Sequence, residues 1–324
     1  HPDTVIMAYM RSRARLEQAK QEGIVDIILN GADEQLRQCD MIFLCTPVEY
    51  NASYLKAIRP YLKSGAIVTD VGSTKTNIHE EVIRLQMEDC FVGGHPMAGS
   101  EKTGYENSTD HLLENAYYII TPSKKSTAEQ IDRVRSVALS LGAIPMVLDY
   151  AEHDKAVAAI SHLPHLAASC LVNLVKASDN QAETMKQIAA GGFKDITRIA
   201  SSSPEMWEQI CMANSGPIGD ILEAYIQSLT VVLGQIRSRQ EGAIFRLLEE
   251  SRDYRSSMTD RAKGAIEPDY SFSVDIVDEA GAISTLSVIL AAKGINIKNI
   301  GINNNRERGE GALRITFYDE ESLE

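Results

Sequence analysis

Short apolar runs alternate with amphipathic helical stretches over about the first 150 residues, and this alternation constrains the fold more than any other feature. Strands that are continuously apolar and are each followed by a helix are typical of a parallel sheet covered on both faces. The pattern predicts a doubly wound α/β domain in which ligands bind at the carboxyl ends of the strands. The predicted strands are residues 4–9, 41–45, 66–71, 90–92, 117–121 and 144–148.

Two further units follow this domain, which we place at residues 1–150. Residues 151–265 are nearly all helical in pattern, and 218–236 repeat apolar side chains at helical spacing. Such wide apolar surface predicts helices buried on several sides, in a dimer core as the preferred interpretation or in a monomeric core as the alternative. Residues 266–324 show a β-α-β-β pattern, with strands at 271–277, 295–302 and 312–317 and a helix at 282–293.

Charge and cysteine content exclude several classes of function. Thirty-two Lys and Arg against 45 Asp and Glu give a net charge of −13, which disfavours binding to nucleic acid or to an anionic membrane surface. No apolar run approaches the roughly 20 residues of a membrane span, so we predict no membrane association. The five scattered cysteines lack a Cys-x-x-Cys pair, which predicts reduced thiols in a cytoplasmic protein and no metal site.

Two segments follow predicted strands in the first domain. Thr46 and Pro47 end one strand, and Asp70-Val-Gly-Ser-Thr-Lys75 follows the next. Gly72 would let the backbone approach a ligand, and Ser73 presents a hydroxyl beside a helix start that favours phosphate or carboxylate. The alternative is that Ser73 is only a helix N-cap and Asp70 only closes a turn.

A histidine follows another strand in Gly93-Gly-His-Pro-Met-Ala-Gly-Ser-Glu101. A loop held between glycines and a proline is an unusual place for a core residue. Imidazole has a pKa near neutrality, which suits a general base. We therefore predict that His95 is catalytic, with an inert loop histidine as the alternative.

The helical stretch carries further candidates. His162 and His165 lie three residues apart on one helical face, where substrate hydrogen bonding is preferred over a metal site or a packed structural pair. Arg198 is the usual type of partner for a carboxylate, although an Asp195–Arg198 helix pair is the alternative. Trp207, the single tryptophan, would ordinarily belong to a core.

The glycine-rich motif G-x-G-x-x-G does not occur in the 324 residues. The alternation begins with a strand at Thr4, where a dinucleotide-binding domain would already be on its second strand. We therefore expect the first strand and the glycine loop to be missing from this chain. Met10 stands where NAD enzymes carry an acidic residue, and Arg11 could instead favour the 2′-phosphate of NADP.

At these residues the sequence resembles the prephenate dehydrogenase family, in its bacterial form with a C-terminal ACT domain. The ACT likeness rests on Asp278-Glu-Ala-Gly281 and Lys293-Gly-Ile-Asn-Ile-Lys-Asn-Ile300, in a unit that lacks a second helix and fourth strand. The segments that carry the likeness to the dehydrogenase are Asp70-Val-Gly-Ser-Thr-Lys75, Gly93-Gly-His-Pro-Met-Ala-Gly-Ser-Glu101, His153 with Asp154, Ser161-His-Leu-Pro-His165, and Gly192-Phe-Lys-Asp-Ile-Thr-Arg198 with Met206 and Trp207.

The resemblance implies NAD-dependent oxidative decarboxylation of prephenate to 4-hydroxyphenylpyruvate, a step toward tyrosine, by a cytoplasmic homodimer. It implies that His95 accepts the proton of the C4 hydroxyl and that Ser73 orients this hydroxyl and the cofactor. The implied substrate-binding residues are His165, Arg198 and Trp207, with Glu101 and Asp154 in an ionic network with Arg198. The implied cofactor-binding residues are Thr46, Pro47, Ser73 and Thr74.

Residues 266–324 would then give feedback inhibition by tyrosine, bound by Asp278, Gly281, Asn296 and Asn299. The alternative for this unit is a purely structural role in a dimer. For the whole chain, the alternatives are an arogenate dehydrogenase, a β-hydroxy-acid dehydrogenase that uses Lys194, and a degenerate module that only senses amino acids.

Overall fold

The computed structural model describes residues 4–99, 104–261, 270–277, 281–305, 310–317 and 322. Glu101 and Asp278, both predicted site residues, lie outside these ranges. The chain divides into two compact units, residues 1–228 and 229–324. The three-domain division, with boundaries near 150 and 265, stays a prediction.

Parallel pairing dominates the start of the first unit. Strands β1 (Met7–Ala8) and β2 (Ile27–Ile28) pair in parallel, as do β3 (Met41–Leu44) and β4 (Ile67–Asp70). A parallel bridge joins Val68 of β4 to Phe91. Every predicted strand of this region is present, and β2 is additional, in the short apolar run Ile27-Ile28-Leu29 that was not predicted as a strand.

The later strands differ from the predicted all-parallel sheet. Strand β5 (Val92–Pro96) runs antiparallel to β6 (Tyr117–Pro122), which pairs in parallel with β7 (Ile144–Val147). An apolar run gives no strand direction, so the sequence pattern could not show this reversal. His95 is paired with Ile119 inside β5, so the prediction that it lies in a loop after the strand was wrong. Pairing on the sheet fixes its backbone more firmly than a loop would.

Helices cover both faces of these strands, as predicted. Ile67 and Val68 are neighbours on β4, yet they belong to different core clusters, since successive strand side chains point to opposite faces. The Val68 cluster includes Leu55, Ile78, Val82 and Phe91, and the Ile67 cluster includes Val92, Ile120, Val134 and Ala138. The helices of this region are α1 (Arg13–Gln21), α2 (Asn51–Ile58), α3 (Thr76–Arg84) and α4 (Ala128–Ser140).

One long helical run begins the second half of this unit. It consists of α5 (Tyr150–Val157), a π-helical segment Ala158–His162, and α6 (Leu163–Ser178). Pro164 has no backbone N–H and cannot make an α-helical hydrogen bond, which accounts for the break in a helix that the sequence predicts as continuous. Single π turns are frequent at functional sites.

By length and composition, Tyr150–Ser178 could cross a membrane, and it is the one such helix among the described residues. The expectation that no apolar run approaches a span was therefore wrong by this criterion. The helix carries the buried polar side chains His153, Asp154, His162 and His165. His79 of α3 also stacks on Tyr150, with 4.4 Å between the ring centroids, so the helix packs against the α/β part of the same unit.

The remaining helices are short except for the last two. Helices α7 (Thr184–Ile188), α8 (Gly191–Thr197) and α9 (Pro204–Ala213) lead to α10 (Ser215–Arg237) and α11 (Glu241–Arg261). In the single chain α10 exposes large apolar side chains, including Ile226 at 55% and Ile236 at 59%. The single chain therefore does not bury this face of α10, as the monomeric-core interpretation would require.

The second unit contains a three-stranded antiparallel sheet. Its strands are β8 (Ser271–Val277), β9 (Ile297–Asn305) and β10 (Glu310–Phe317), with β10 in the centre. Helix α12 (Ala282–Ala292) contributes Leu290 to a core with Leu313, Ile315 and Phe317. The predicted β-α-β-β order is confirmed.

Candidate active site

The carboxyl end of β4 holds a fully buried ion pair. The Asp70 carboxylate accepts hydrogen bonds from the Lys75 ammonium and, at 2.9 Å, from the Gly72 amide. Lys75 Nζ also donates to the Gly94 carbonyl at 2.7 Å, and Gly94 N donates to Asp70 Oδ1 at 3.1 Å. Both side chains have 0% exposure. The ion pair thus fastens the segment around Ser73 to the strand that carries His95.

Gly94 is required by this close approach. A Cβ at position 94 would lie 2.7 Å from both the Asp70 carbonyl oxygen and the Tyr118 hydroxyl. The carbonyl belongs to the backbone of β4 and cannot move aside cheaply. A side chain here would push β5 away from the ion pair.

Asp154 of α5 occupies the N-terminus of α3. Its Oδ1 accepts from Lys75 N at 2.8 Å and its Oδ2 from Thr76 N at 2.7 Å. Helix N-termini stabilise anions through their free N–H groups. The predicted anion at this helix start is therefore a carboxylate of the chain itself. Ser73 is not the N-cap that the alternative interpretation proposed, because Lys75 stands at that position, whereas Asp70 does close the turn onto Gly72.

Two histidines extend from Asp154 to the end of β5. His153 Nδ1 lies 2.8 Å from Asp154 Oδ1, and His153 Nε2 lies 2.8 Å from His95 Nδ1. His153 and Asp154 are each 1% exposed. The arrangement His95–His153–Asp154 joins the sheet to the helical run, and its two histidines are 58 residues apart in the sequence.

Electrostatics favour an ionised Asp154 and a neutral His95. Burial opposes ionisation of Asp154, but hydrogen bonds from His153, Thr76 and Lys75 outweigh it and lower the pKa of this carboxyl. Burial is the main cause that holds the pKa of His95 well below its ordinary value. The positive charge of Lys75 adds to this effect, while Asp154 opposes it.

The hydrogen bonds also determine which atom of His95 is basic. An ionised carboxylate can only accept hydrogen bonds, so the proton of the hydrogen bond between His153 and Asp154 lies on His153 Nδ1. When Nε2 of His153 carries no proton, it accepts from His95, which then donates from Nδ1. The lone pair of His95 is left on Nε2, the atom that a general base uses.

The second predicted histidine pair surrounds Trp207. His165 stacks on the Trp207 ring with centroids 3.5 Å apart, and His162 meets its edge at 6.0 Å. Asn214 Nδ2 lies 3.2 Å from His162 Nδ1 and donates to the Asp154 carbonyl at 2.8 Å. Within the described part of the chain, His165 Nδ1 and Trp207 Nε1 are buried without a hydrogen-bond partner. Such orphan groups are suited to binding polar groups of a substrate.

A cavity of about 540 Å³ opens beside this stack. Its lining includes His165, Trp207 and two carboxylate side chains, Glu205 and Glu208. Arg198 begins a 3₁₀ turn, Arg198–Ser201, whose Ala200 also lines the cavity. Arg198 is exposed but is not among the residues that line the cavity, so its contact with a carboxylate stays a prediction.

The carboxyl ends of β3 and β4 provide a polar surface for a cofactor. The strands pair at Leu44 and Asp70, and a Cβ at Gly72 would lie 3.1 Å from Val48 Cγ1, so the segments after the two strands are neighbours. Thr46 Oγ1 bonds to Asn51 Oδ1 at 2.9 Å, and Thr74 Oγ1 to Asn77 Oδ1 at 3.1 Å. Thr46, Pro47 and Ser73 are partly or fully exposed, whereas Thr74 is fully buried, which contradicts its predicted contact with the cofactor. In the described ranges no group of three or more His, Cys, Asp or Glu could hold a metal ion.

Asp154 does not lie where the predicted ionic network would place it. Its carboxylate faces α3 and His153 and is nearly inaccessible. His153, Lys75 and Asn214 also contact the site, and no function was predicted for them from the sequence. His153 precedes Asp154 within a quoted motif, but its contact with His95 depends on two elements meeting in space, and no local pattern encodes that.

Comparison with known proteins gives a consistent result. Residues 1–147 match the model for the nucleotide-binding domain of prephenate dehydrogenase, and residues 149–250 match that for its dimerization domain. The prephenate dehydrogenase of Bacillus subtilis is 34% identical over 323 residues, covering 99% of this chain and 87% of the relative. That of Lactococcus lactis subsp. cremoris is 35% identical over 334 residues, covering 100% and 89%.

Solved structures of prephenate and arogenate dehydrogenases are also similar to this chain. The crystal structure of prephenate dehydrogenase from A. aeolicus in complex with hydroxyphenyl propionate and NAD⁺ superposes with a TM-score of 0.74 at 30% identity, covering 79% of this chain and 90% of that chain. Synechocystis arogenate dehydrogenase gives a TM-score of 0.72 at 30% identity, covering 79% and 92%.

A Rossmann-like nucleotide-binding domain, a helical dimerization domain and a neutral imidazole at a strand end define an NAD-dependent dehydrogenase. The chain belongs to the prephenate dehydrogenase family. The predicted enzyme class and the predicted cofactor NAD are thereby confirmed.

Proposed function

We propose that His95 is the general base in the oxidation and decarboxylation of prephenate to 4-hydroxyphenylpyruvate. The observation that carries this assignment is the arrangement His95–His153–Asp154, which leaves His95 neutral with a free lone pair on Nε2. A degenerate sensing module would have no need to keep this arrangement buried and hydrogen-bonded.

The proposed reaction needs little covalent chemistry from the protein. NAD, when bound, supplies the hydride acceptor. His95 Nε2 draws the proton of the C4 hydroxyl, which pushes electron density onto C4 as the hydride departs. The C–CO₂ bond breaks, its electrons restore the aromatic ring, and the proton returns to the phenolic oxygen. Positive charge that develops on His95 is shared with His153 and offset by the Asp154 carboxylate.

The remaining site residues are assigned to binding. Arg198 holds a substrate carboxylate, and His165 and Trp207 hold the side-chain end, which their unpartnered nitrogens support. Glu101 stays assigned to a network with Arg198, whereas we now assign Asp154 to positioning His153. Ser73, Thr46 and Pro47 are assigned to the nicotinamide end of NAD, whereas Thr74 is fully buried and is no longer assigned to it. No residue of the chain is assigned to the pyrophosphate.

Arogenate is a second candidate substrate for one specific reason. It carries an ammonium group where prephenate carries a ketone, and the cavity beside His165 is lined by Glu205 and Glu208. Opposite charges favour binding, so these carboxylates would attract the amine. The family also has a structural relative that is an arogenate dehydrogenase.

The direct test is NADH or NADPH formation with each of the two substrates and each of the two cofactors. We expect prephenate with NAD to give the highest kcat/KM. This kcat/KM should fall as the pH drops through the pKa of His95, at a pH below the ordinary histidine value of about 6.5, because protonation removes the base. No turnover of prephenate or arogenate with either cofactor would reject the proposed function.

For the second unit we propose an ACT-type regulatory role, in a cytoplasmic homodimer. The β-α-β-β order supports it, as does Gly281, whose φ of +99° at the start of α12 suits a glycine turn that admits a ligand close to backbone amides. Asn296 lies exposed just before β9, and Asn299 lies within it. With Asp278, these residues form the proposed tyrosine site.

Calorimetric titration with tyrosine tests this role. We expect tyrosine to weaken prephenate binding by about 5- to 150-fold and prephenate to weaken tyrosine binding by the same factor, because coupling between sites is reciprocal. Asn296→Ala should weaken tyrosine binding without changing the KM for prephenate in the absence of tyrosine. Unchanged tyrosine affinity in Asn296→Ala would leave the second unit a structural role.

A further inference from the structure

Lys75 closes a ring of hydrogen bonds around the catalytic histidine. Its backbone N–H holds Asp154, Asp154 holds His153, and His153 holds His95. Its side chain returns to the same strand by donating to the carbonyl of Gly94, the residue before His95. One residue therefore contacts both ends of the path that orients the base.

We propose that Lys75 is a positioning residue for His95, which it holds in both geometry and charge state through this ring. The proposal rests on the proposed function of His95 as the base. Lys75 is fully buried, its ammonium is paired with Asp70, and neither group is accessible to substrate. Its action on the reaction is therefore indirect.

Lys75 can affect the position of His95 because its ammonium binds both Asp70 and the Gly94 carbonyl. Without it, the Gly94 carbonyl loses its donor and Asp70 loses its counter-charge inside the protein. Strand β5 could then shift relative to α3, whose N-terminus holds the Asp154 carboxylate of α5. A shift of about 1 Å at a catalytic group can cost roughly 100-fold in rate.

The charge part follows from the groups that face His95. Lys75, His153 and His162 favour its neutral form, and Asp154 favours its protonated form, while Asp70 reaches it only through the Gly94 amide. Removing the positive charge of Lys75 should therefore make His95 easier to protonate. A purely structural lysine would change stability without moving this titration.

The test compares Lys75→Met, Lys75→Arg and the control Lys125→Met in the full chain. Lys125 is an exposed lysine paired with Glu88, so its loss controls for the removal of one charge. We expect Lys75→Met to lower kcat by roughly 10- to 100-fold and to move the acid limb of kcat/KM to higher pH. Lys75→Arg keeps the charge, so it should lower kcat while leaving the acid limb in place.

NMR titration of the histidines in substrate-free protein gives a readout that does not depend on activity. The chain has seven histidines, and His95→Asn assigns the signal of interest. A higher pKa for His95 in Lys75→Met, but not in Lys125→Met, is the expected result even if prephenate proves not to be the substrate. An unchanged His95 titration would overturn the proposal. Failure of both Lys75 variants to fold would assign the ion pair to stability alone and overturn it as well.

Discussion

His95→Asn should lower kcat by roughly 10²–10⁴-fold with little change in KM for prephenate. Asparagine keeps a hydrogen-bonding group near the position of Nδ1, so the contact with His153 can persist, but it has no basic nitrogen to draw the hydroxyl proton. The expected loss is the usual contribution of a positioned general base. Because the substrate carboxylates are held elsewhere, binding should change little. Steady-state kinetics with prephenate and NAD measure both constants.

His111→Asn is the matched control for this variant. His111 is an exposed histidine that pairs with Asp110 and Glu114. Its replacement should leave kcat and KM at wild-type values. If His95→Asn kept more than half of the wild-type kcat, the assignment of His95 as the base would be wrong.

Asp154→Asn should lower kcat by about 10²–10⁴-fold and also destabilise the fold. The amide cannot accept hydrogen bonds with both of its atoms, so Lys75 N or Thr76 N loses its partner at a cost of about 1–3 kcal/mol. The neutral amide also no longer fixes the proton of His153 on Nδ1, so the lone pair of His95 is no longer held on Nε2. Loss of the carboxylate behind a catalytic imidazole typically has an effect of this size.

Asp149→Asn separates the two effects. The Asp149 side chain caps α5 by accepting from Ala151 N and Glu152 N, and asparagine is an equally good N-cap. The backbone carbonyl of Asp149 accepts from His153 N at 2.9 Å, and the substitution leaves this backbone hydrogen bond unchanged. We expect this control to have wild-type kinetics and nearly wild-type stability. Urea denaturation gives the free energy of unfolding of both variants, and kinetics are measured where each is folded. A folded Asp154→Asn enzyme with wild-type kcat would remove Asp154 from the positioning of the base.

The local elements of this protein could be predicted from its sequence. Apolar runs marked the strands and apolar periodicity marked the helices, because burial of one face is encoded residue by residue. The residue types at strand ends also indicated chemistry, since His95 among glycines and Ser73 beside a helix start are both unusual for a core. The β-α-β-β order of residues 271–317 was equally readable.

Only the tertiary structure decided how these elements meet. The antiparallel entry of β6 beside β5, which draws His95 into a strand, depends on the path of the intervening chain rather than on the pattern of either strand. The contact of His95 with His153 and the capping of α3 by Asp154 join groups 58 and about 80 residues apart. Apolar periodicity indicates which face of a helix or strand is buried, but it does not indicate which other element packs against that face. For that reason the sequence indicated the histidine that we propose as the base, and the structure showed the groups that contact it.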